Sequence, residues 1–156
     1  MAIRVVPQTL ESADRGGRLG SEWTAVLADV PLFSGLSRRH VGHVVKIARL
    51  KRFPRGTKIV TAGEPGDAFY VIVDGSASMR LGGRRVSFGE GQFFGEMALL
   101  DGSPRSATVT ADSDLAAVVI PRKAFLKLLN SEPKITIGLL EVLTQRLRAL
   151  SAAGSL

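Results

Sequence analysis

The sequence contains no cysteine, and aromatic residues fill only 6% of its 156 positions. Without cysteine, disulfides, thiolate metal sites and cysteine nucleophiles are excluded. The apolar runs Phe69–Val73 and Leu115–Ile120 are far shorter than the roughly 20 residues of a membrane-spanning helix. The N-terminus lacks the apolar core of a secretory signal. We therefore expect a cytoplasmic protein that does not enter a membrane.

Acidic residues are absent between Val30 and Gly63, in a chain whose formal net charge is +7. The basic residues of this segment are Arg38, Arg39, Lys46, Arg49, Lys51, Arg52, Arg55 and Lys58. Such a stripe can bind nucleic acid or an acidic surface. Because no recognition-helix pattern accompanies it, the solvent-exposed face of a helix and an edge strand explain it better than a nucleic-acid partner does.

The length of 156 residues, with 45% hydrophobic and 22% charged residues, is typical of one globular domain. Residues 1–20 show no sustained period and are predicted to be a flexible leader. Residues 21–156 are predicted to form one domain, in which Ser21 and Ser37 each cap an N-terminal helix.

Between residues 50 and 120, short apolar or alternating runs are separated by glycine-rich turns. The predicted strands are Lys58–Thr61, Ala68–Val73, Ser76–Leu81, Arg85–Phe88, Ser106–Ala111 and Leu115–Ile120, with a turn at Arg52–Gly56. Short strands at this spacing indicate an antiparallel β-roll, a jelly-roll-like barrel.

Helical periodicity returns over about residues 121–150, where two C-terminal helices are predicted. The second, about Lys134–Leu150, carries a long apolar stripe. Docking on the roll and pairing with a second copy, as a homodimer, explain this stripe equally well. The fold class is thus mainly β with flanking α.

The stretch Phe94–Val109, with sequence FGEMALLDGSPRSATV, is the most informative. A glycine-opened helical turn presents free N–H groups that favour an anion. Arg105 adds a guanidinium that binds phosphate through two donors. Glu96 would repel a phosphate, so a hydroxyl such as that of a ribose is its natural partner. Phosphate and sugar side by side indicate a nucleotide.

This stretch resembles the phosphate-binding cassette of the cyclic-nucleotide-binding domain family, of the catabolite activator protein and protein kinase A regulatory type. The shared pattern is Phe-Gly-Glu-x-Ala-Leu-x-x-x-x-Pro-Arg-Ser-Ala. The resemblance covers about Leu32 to Leu150, because the helix–roll–helix–helix order matches as well.

The resemblance implies a ligand site formed by Gly95, Glu96, Met97, Ala98, Arg105, Ser106 and Ala107. Glu96 would accept the ribose 2′-hydroxyl, and Arg105 would neutralise the cyclic phosphate. Ser106 would add a hydroxyl, while Ala98 and Ala107 would add backbone N–H groups.

Other residues are expected to complete the site. The strand residues Val60, Val71, Val73, Met79 and Val86 either line the sugar and base or belong to the core. In the family a residue of the last helix covers the base, which assigns that role to Leu139, Leu140 or Leu143. Serine directly after the arginine accompanies adenine, so cyclic AMP (cAMP) is expected as the ligand rather than cyclic GMP (cGMP).

Neither catalysis nor a metal site is supported by the sequence. His40 and His43 share a helix face, but no carboxylate stands between them and no third ligand follows. Both lie far upstream of any nucleophile. We expect a binding protein rather than an enzyme, with no metal.

Three functional hypotheses follow. The first is a stand-alone cAMP sensor that acts on an effector protein the sequence does not identify. The second is a fragment or relative of a cAMP-responsive DNA-binding regulator, although the sequence ends at Leu156 without the helix-turn-helix of such proteins. The third is a dimerisation scaffold that does not respond to nucleotide.

Overall fold

The computed structural model describes Leu10 and residues 17–152. Helix α1 (Trp23–Ala28), a 3₁₀ turn (Pro31–Phe33) and helix α2 (Arg38–Ile47) come first. Most of the predicted leader, residues 1–9 and 11–16, lies outside the described residues.

The two predicted helix caps have different outcomes. The Ser37 side chain accepts the N–H of His40 at 3.3 Å, which confirms the cap of α2. The Ser21 cap is wrong, because α1 starts after Glu22 with no capping side chain. The carbonyls of Gly20 and Ser21 accept the first N–H groups instead, so the serine hydroxyl is not needed.

In the described part of the chain, eight strands form two four-stranded sheets. Their bounds are β1 Arg49–Phe53, β2 Lys58–Val60, β3 Ala68–Asp74, β4 Ala77–Leu81, β5 Arg84–Phe88, β6 Phe93–Phe94, β7 Val109–Ala111 and β8 Leu115–Pro121. The sheet orders are β1-β8-β3-β6 and β2-β7-β4-β5, and every pairing is antiparallel. The predicted β-roll is confirmed.

Three local differences from the predicted strands have physical causes. Strand β1 was missed because its only buried residue is Leu50, so a charged edge strand resembles a loop. Strand β6 has only two residues, too few for a pattern. Strand β7 begins at Val109 rather than Ser106, since the Thr108 hydroxyl accepts the N–H of Ala62 before the ladder starts.

The central strands β3 and β8 are buried on both faces, which explains their unbroken apolar runs. Phe69 and Val118 point toward the helices and join one core with Trp23 and Phe125. The alternate residues point into the roll, where Ile72 joins a second core between the two sheets.

The C-terminal helices α4 (Arg122–Ser131) and α5 (Pro133–Ala152) follow β8, as predicted. They bury Phe125 and Leu128, and Ile135 and Leu139, in the helix-side core. Among the residues described, no helix combines the length and the hydropathy needed to cross a bilayer.

Candidate functional site

A cavity of about 430 Å³, part of it open to solvent, lies between the second sheet, α5 and the short helix α3 (Glu96–Asp101). It is lined by Val60, Met79, Phe88, Phe94, Gly95, Glu96, Met97, Ala98, Arg105, Ser106, Ala107, Val109 and Arg146. All of the site residues predicted from the cassette are in this lining.

Arg105 is fixed in the cavity wall by backbone oxygens. Its side chain is 4% exposed, and it donates to the carbonyls of Gly95 at 2.7 Å and Ala68 at 2.8 Å. A third contact reaches the exposed Asp67 at 3.3 Å. A guanidinium has five N–H donors, so about two remain for a ligand. Two donors are what bidentate phosphate binding requires.

Gly95 is required by this arrangement. Its φ is +92°, a conformation that residues with a side chain rarely adopt. A Cβ at this position would also lie 2.9 Å from Nη1 of Arg105. Glycine here lets the loop turn into α3 while its carbonyl holds the arginine.

Among the described residues, Glu96 is the only carboxylate that lines the cavity. Its side chain is 6% exposed, and its Oε1 lies 3.3 Å from Nη1 of Arg146. Burial raises the pKa of Glu96, while its own backbone N–H, Arg146 and Arg105 act in the opposite direction. An ionised carboxylate in this place gains from a hydrogen-bond donor.

Arg146 comes from α5 and closes one side of the cavity. It donates to the carbonyl of Phe93 at 2.6 Å, and its guanidinium lies over the rings of Phe93 at 4.4 Å and Phe88 at 5.4 Å. Burial lowers the pKa of Arg146, and the charge of Glu96 opposes that change. The side chain is still 30% exposed, so it keeps a path to solvent.

Sequence reasoning missed Arg146. None of the three leucines expected to cover the base lines the cavity. Leu139 is buried in the helix-side core, Leu143 packs against that core, and Leu140 is 58% exposed. The sequence does contain a signal for Arg146, namely its position seven residues after Leu139, which places both residues on the same face of α5. A lone cation on a buried stripe implies a buried anion opposite it.

The strand residues that the sequence left between the ligand site and the core divide between these two roles. Val60 and Met79 line the cavity, whereas Val86 packs against the roll interior outside this lining. Val71 and Val73 are not near it, because the alternation of β3 points both toward the helices.

The two histidines of α2, His40 and His43, do not lie in a cluster of metal ligands among the described residues. Within the part of the chain that the structure describes, no three His, Cys, Asp or Glu residues gather as ligands would. His40 Nε2 instead lies 3.8 Å from Oε1 of Glu132, and the His43 ring packs edge-on against His40.

Comparison with known proteins decides the family. The sequence profile of the cyclic nucleotide-binding domain matches residues 50–132, which run from β1 to the end of α4 and include the whole cassette. The chain belongs to the cyclic nucleotide-binding domain family.

Relatives of several kinds share this domain. The chain is 39% identical over 121 residues to a cyclic nucleotide-gated potassium channel of Mesorhizobium japonicum, covering 78% of this chain and 34% of the channel. Its structure is similar to the catabolite activator protein of Thermus thermophilus, with 31% identity, a TM-score of 0.69, and coverage of 79% and 61% of the two chains. It is also similar to the regulatory domain of Toxoplasma gondii PKA crystallised with cAMP, with 28% identity, a TM-score of 0.70, and coverage of 86% and 52%.

The chain spans about a third or less of the curated relatives it matches. What is shared is therefore the cyclic nucleotide-binding domain itself. The kinase relatives are regulatory subunits rather than catalytic ones.

Proposed function

We propose that the chain is a regulatory module that binds a 3′,5′-cyclic nucleotide, with cAMP preferred, in the cavity of Glu96 and Arg105. The observation that carries this proposal is the placement of one buried cation and one buried carboxylate in the lining of a single cavity. A cyclic nucleotide offers an anionic phosphate and a free ribose hydroxyl, which match these two charges.

The cyclic phosphate is assigned to Arg105. The two donors that remain on this guanidinium suit two phosphate oxygens. Ser106 adds a hydroxyl, and the backbone N–H groups of Ala98 and Ala107 are close enough in the lining to contribute. Because Arg105 is already held by Gly95 and Ala68, little side-chain entropy is lost when phosphate binds.

The ribose is assigned to Glu96. A carboxylate accepts a hydroxyl proton, and the 2′-hydroxyl would approach the same carboxylate that Arg146 contacts at Oε1. Ribose binding therefore takes place beside Arg146, where the two groups compete for one carboxylate.

The base is assigned to the apolar wall formed by Val60, Met79, Phe88 and Val109. Serine rather than threonine at position 106 supports adenine over guanine. The cAMP in the Toxoplasma gondii PKA structure supports the same choice.

The transmission of ligand binding to an effector protein is assigned to helix α5. This helix is anchored in the helix-side core by Ile135 and Leu139 and reaches the cavity through Arg146. A ligand that competes for Glu96 shifts the population of helix positions, and an effector protein would respond to that shift.

Titration calorimetry of the chain with cAMP and cGMP tests the proposal. Heat with cAMP, weaker binding of cGMP, and a Kd for cAMP raised at least about 30-fold in the Arg105→Gln variant are expected. Absence of binding by either nucleotide at high micromolar concentration would contradict the proposal.

A second copy of the chain is the other partner we propose, as a homodimer through α5. Ile137, Leu140 and Leu147 are all more than half exposed and fall on one seam of this helix. Sedimentation of the chain and of a Leu140→Glu variant tests this. A dimer that the variant abolishes supports the proposal, and a monomer at all concentrations contradicts it. If the dimer forms but nucleotide never binds, the chain is a scaffold instead.

A further inference from the structure

The outer face of strand β5 carries an exposed serine. Strand β5 is an edge strand of its sheet, and among the described strands it pairs only with β4, which leaves its other edge open there. Ser87 points away from the roll, whereas the next residue, Phe88, points inward and lines the cavity. Across the ladder, Ser87 is paired with Ser78. Ser87 makes no hydrogen bond through its side chain within the described residues, so its hydroxyl is available.

The same face has more positive than negative charge. Arg80 and Arg85 are directly paired across the two strands, which places their Cβ atoms about 5 Å apart and two like charges on one face. Asp112 pairs with Arg85 at 3.0 Å and accepts the Ser78 hydroxyl at 3.0 Å. Within the described residues, Arg80 has no acidic side chain as an ion-pair partner. One further negative group on this face would relieve the repulsion between the two arginines.

The sequence leading to Ser87 is Arg84-Arg85-Val86, in an extended strand. A protein kinase with acidic subsites recognises basic residues just before its target serine, because opposite charges select the partner. Such a kinase also binds the target as an extended segment, and β5 already has that form with one edge open.

We infer that Ser87 is a phosphorylation site for a basophilic serine kinase. The Oγ of Ser87 attacks the γ-phosphorus of ATP, forming a new O–P bond. The bond between the γ-phosphorus and the β,γ-bridging oxygen breaks, and ADP leaves with its electron pair. The hydroxyl proton passes to the catalytic carboxylate of the kinase.

The product would be stabilised by the residues already on this face. Arg85 is two positions away on the same strand, and Arg80 is the diagonal neighbour across the ladder. Two guanidinium groups beside the phosphate favour its dianion. Modification would also reverse the charge of this face, and with it the kind of surface that the face can contact.

The test is phosphorylation of the whole chain by a serine kinase that selects arginine two and three residues before the target, with Mg²⁺-ATP. Intact-mass and peptide analysis should find one phosphate, on Ser87, and none on Ser87→Ala. Ser78→Ala is the matched control, since it removes the paired serine and should keep the phosphate. Arg85→Gln should be phosphorylated at least about tenfold more slowly.

A free peptide of residues 80–91 shows whether the kinase accepts the sequence at all. Phosphate on the peptide but not on the folded chain, on neither of them, or on another residue would overturn the proposal. In ³¹P NMR titrations, the pKa of phosphoserine should be lower in the folded chain than in the peptide, and Arg80→Gln should reduce that difference. An equal phosphate pKa in both would contradict the assigned arginine contacts.

Discussion

Arg105 and Arg146 both reach the same cavity, yet the fold holds them in different ways. Arg105 follows a tight turn and is held by carbonyls of the roll itself, with 4% of its side chain exposed. Arg146 stands on the last helix, contacts Glu96 at 3.3 Å, and is 30% exposed. One cation belongs to the rigid scaffold, and the other belongs to an element that docks on it.

Under the proposed function, this difference separates ligand binding, which Arg105 supports, from the response of the helix, which Arg146 supports. A cation fixed before the ligand arrives contributes affinity, because its ordering cost has already been met in folding. A cation on a docked helix can leave its partner when a ligand competes for that partner, which transmits occupancy to the helix. The two arginines thus have different expected effects when they are removed.

The largest expected effect comes from Arg105→Gln. Under the proposed function, loss of the buried cation assigned to the phosphate should cost about 2–5 kcal/mol, roughly a 30- to 4,000-fold increase in the Kd for cAMP. Calorimetry measures it. Arg122→Gln, which removes an exposed arginine outside this cavity, is the matched control and should bind normally.

Arg105→Lys keeps the positive charge and tests whether misfolding, rather than loss of the guanidinium, explains weaker cAMP binding. It should fold, as measured by urea unfolding, and still bind weakly, because lysine lacks the planar pair of donors. Wild-type affinity in either variant would remove Arg105 from the site.

Glu96→Gln should have the next largest effect, and it should depend on the ligand. A hydrogen bond to a charged group contributes about 1.5–3 kcal/mol, so the wild-type chain should bind cAMP roughly 10- to 150-fold better than 2′-deoxy-cAMP. In the variant most of that preference should vanish. The four Kd values, for two proteins and two ligands, form a double-mutant cycle that isolates the interaction between Glu96 and the hydroxyl. A preference that survives the substitution would place the ribose elsewhere.

Arg146→Gln should change rates more than affinity. The pair that it removes is partly exposed, and the ligand no longer has to displace an arginine from Glu96. We expect faster association and a change in Kd below about tenfold. Stopped-flow mixing with a fluorescent cAMP analogue measures the rates, with Arg148→Gln on the exposed side of α5 as the control. Loss of binding as large as that of Arg105→Gln would erase the distinction between the two arginines.

The smallest expected effect is a pH dependence of stability. Because burial raises the pKa of Glu96 in the folded state, its favourable contribution is present at low pH and declines as the pH rises through that raised pKa. The free energy of unfolding of the wild type, relative to Glu96→Gln, should therefore fall between acidic and neutral pH. Urea titrations over this range measure it. A relative stability that rises with pH would mean that the ion pair with Arg146 outweighs burial.

The parts of the site that sequence predicted are those encoded within a short stretch. Gly95, Glu96 and Arg105 lie within one loop and helix turn, so their spacing alone brings them together. The Ser37 cap is local in the same sense, since its partner is His40 three residues later. Contacts between residues close in sequence can be predicted because the short chain between them allows few alternative arrangements.

The parts that sequence missed depend on distant contacts or on charge in unexpected places. Arg146 meets Glu96 across 50 positions, and helix periodicity does not say which element faces its stripe. Strand β1 is highly charged and is defined by its pairing with β8 rather than by its own pattern. For Val71 the sequence left the ligand site and the core open, because a strand buried on both sides hides its alternation, and the structure places it in the helix-side core.

The most direct test of the account is a crystal structure of the chain with cAMP. We expect this structure to show the cyclic phosphate bound to Arg105 and the 2′-hydroxyl hydrogen-bonded to Glu96. The Arg105 side chain should not move, and Arg146 should no longer contact Glu96. A complex in which the phosphate avoids Arg105, or in which the Arg146–Glu96 contact stays intact while the ribose binds elsewhere, would contradict it.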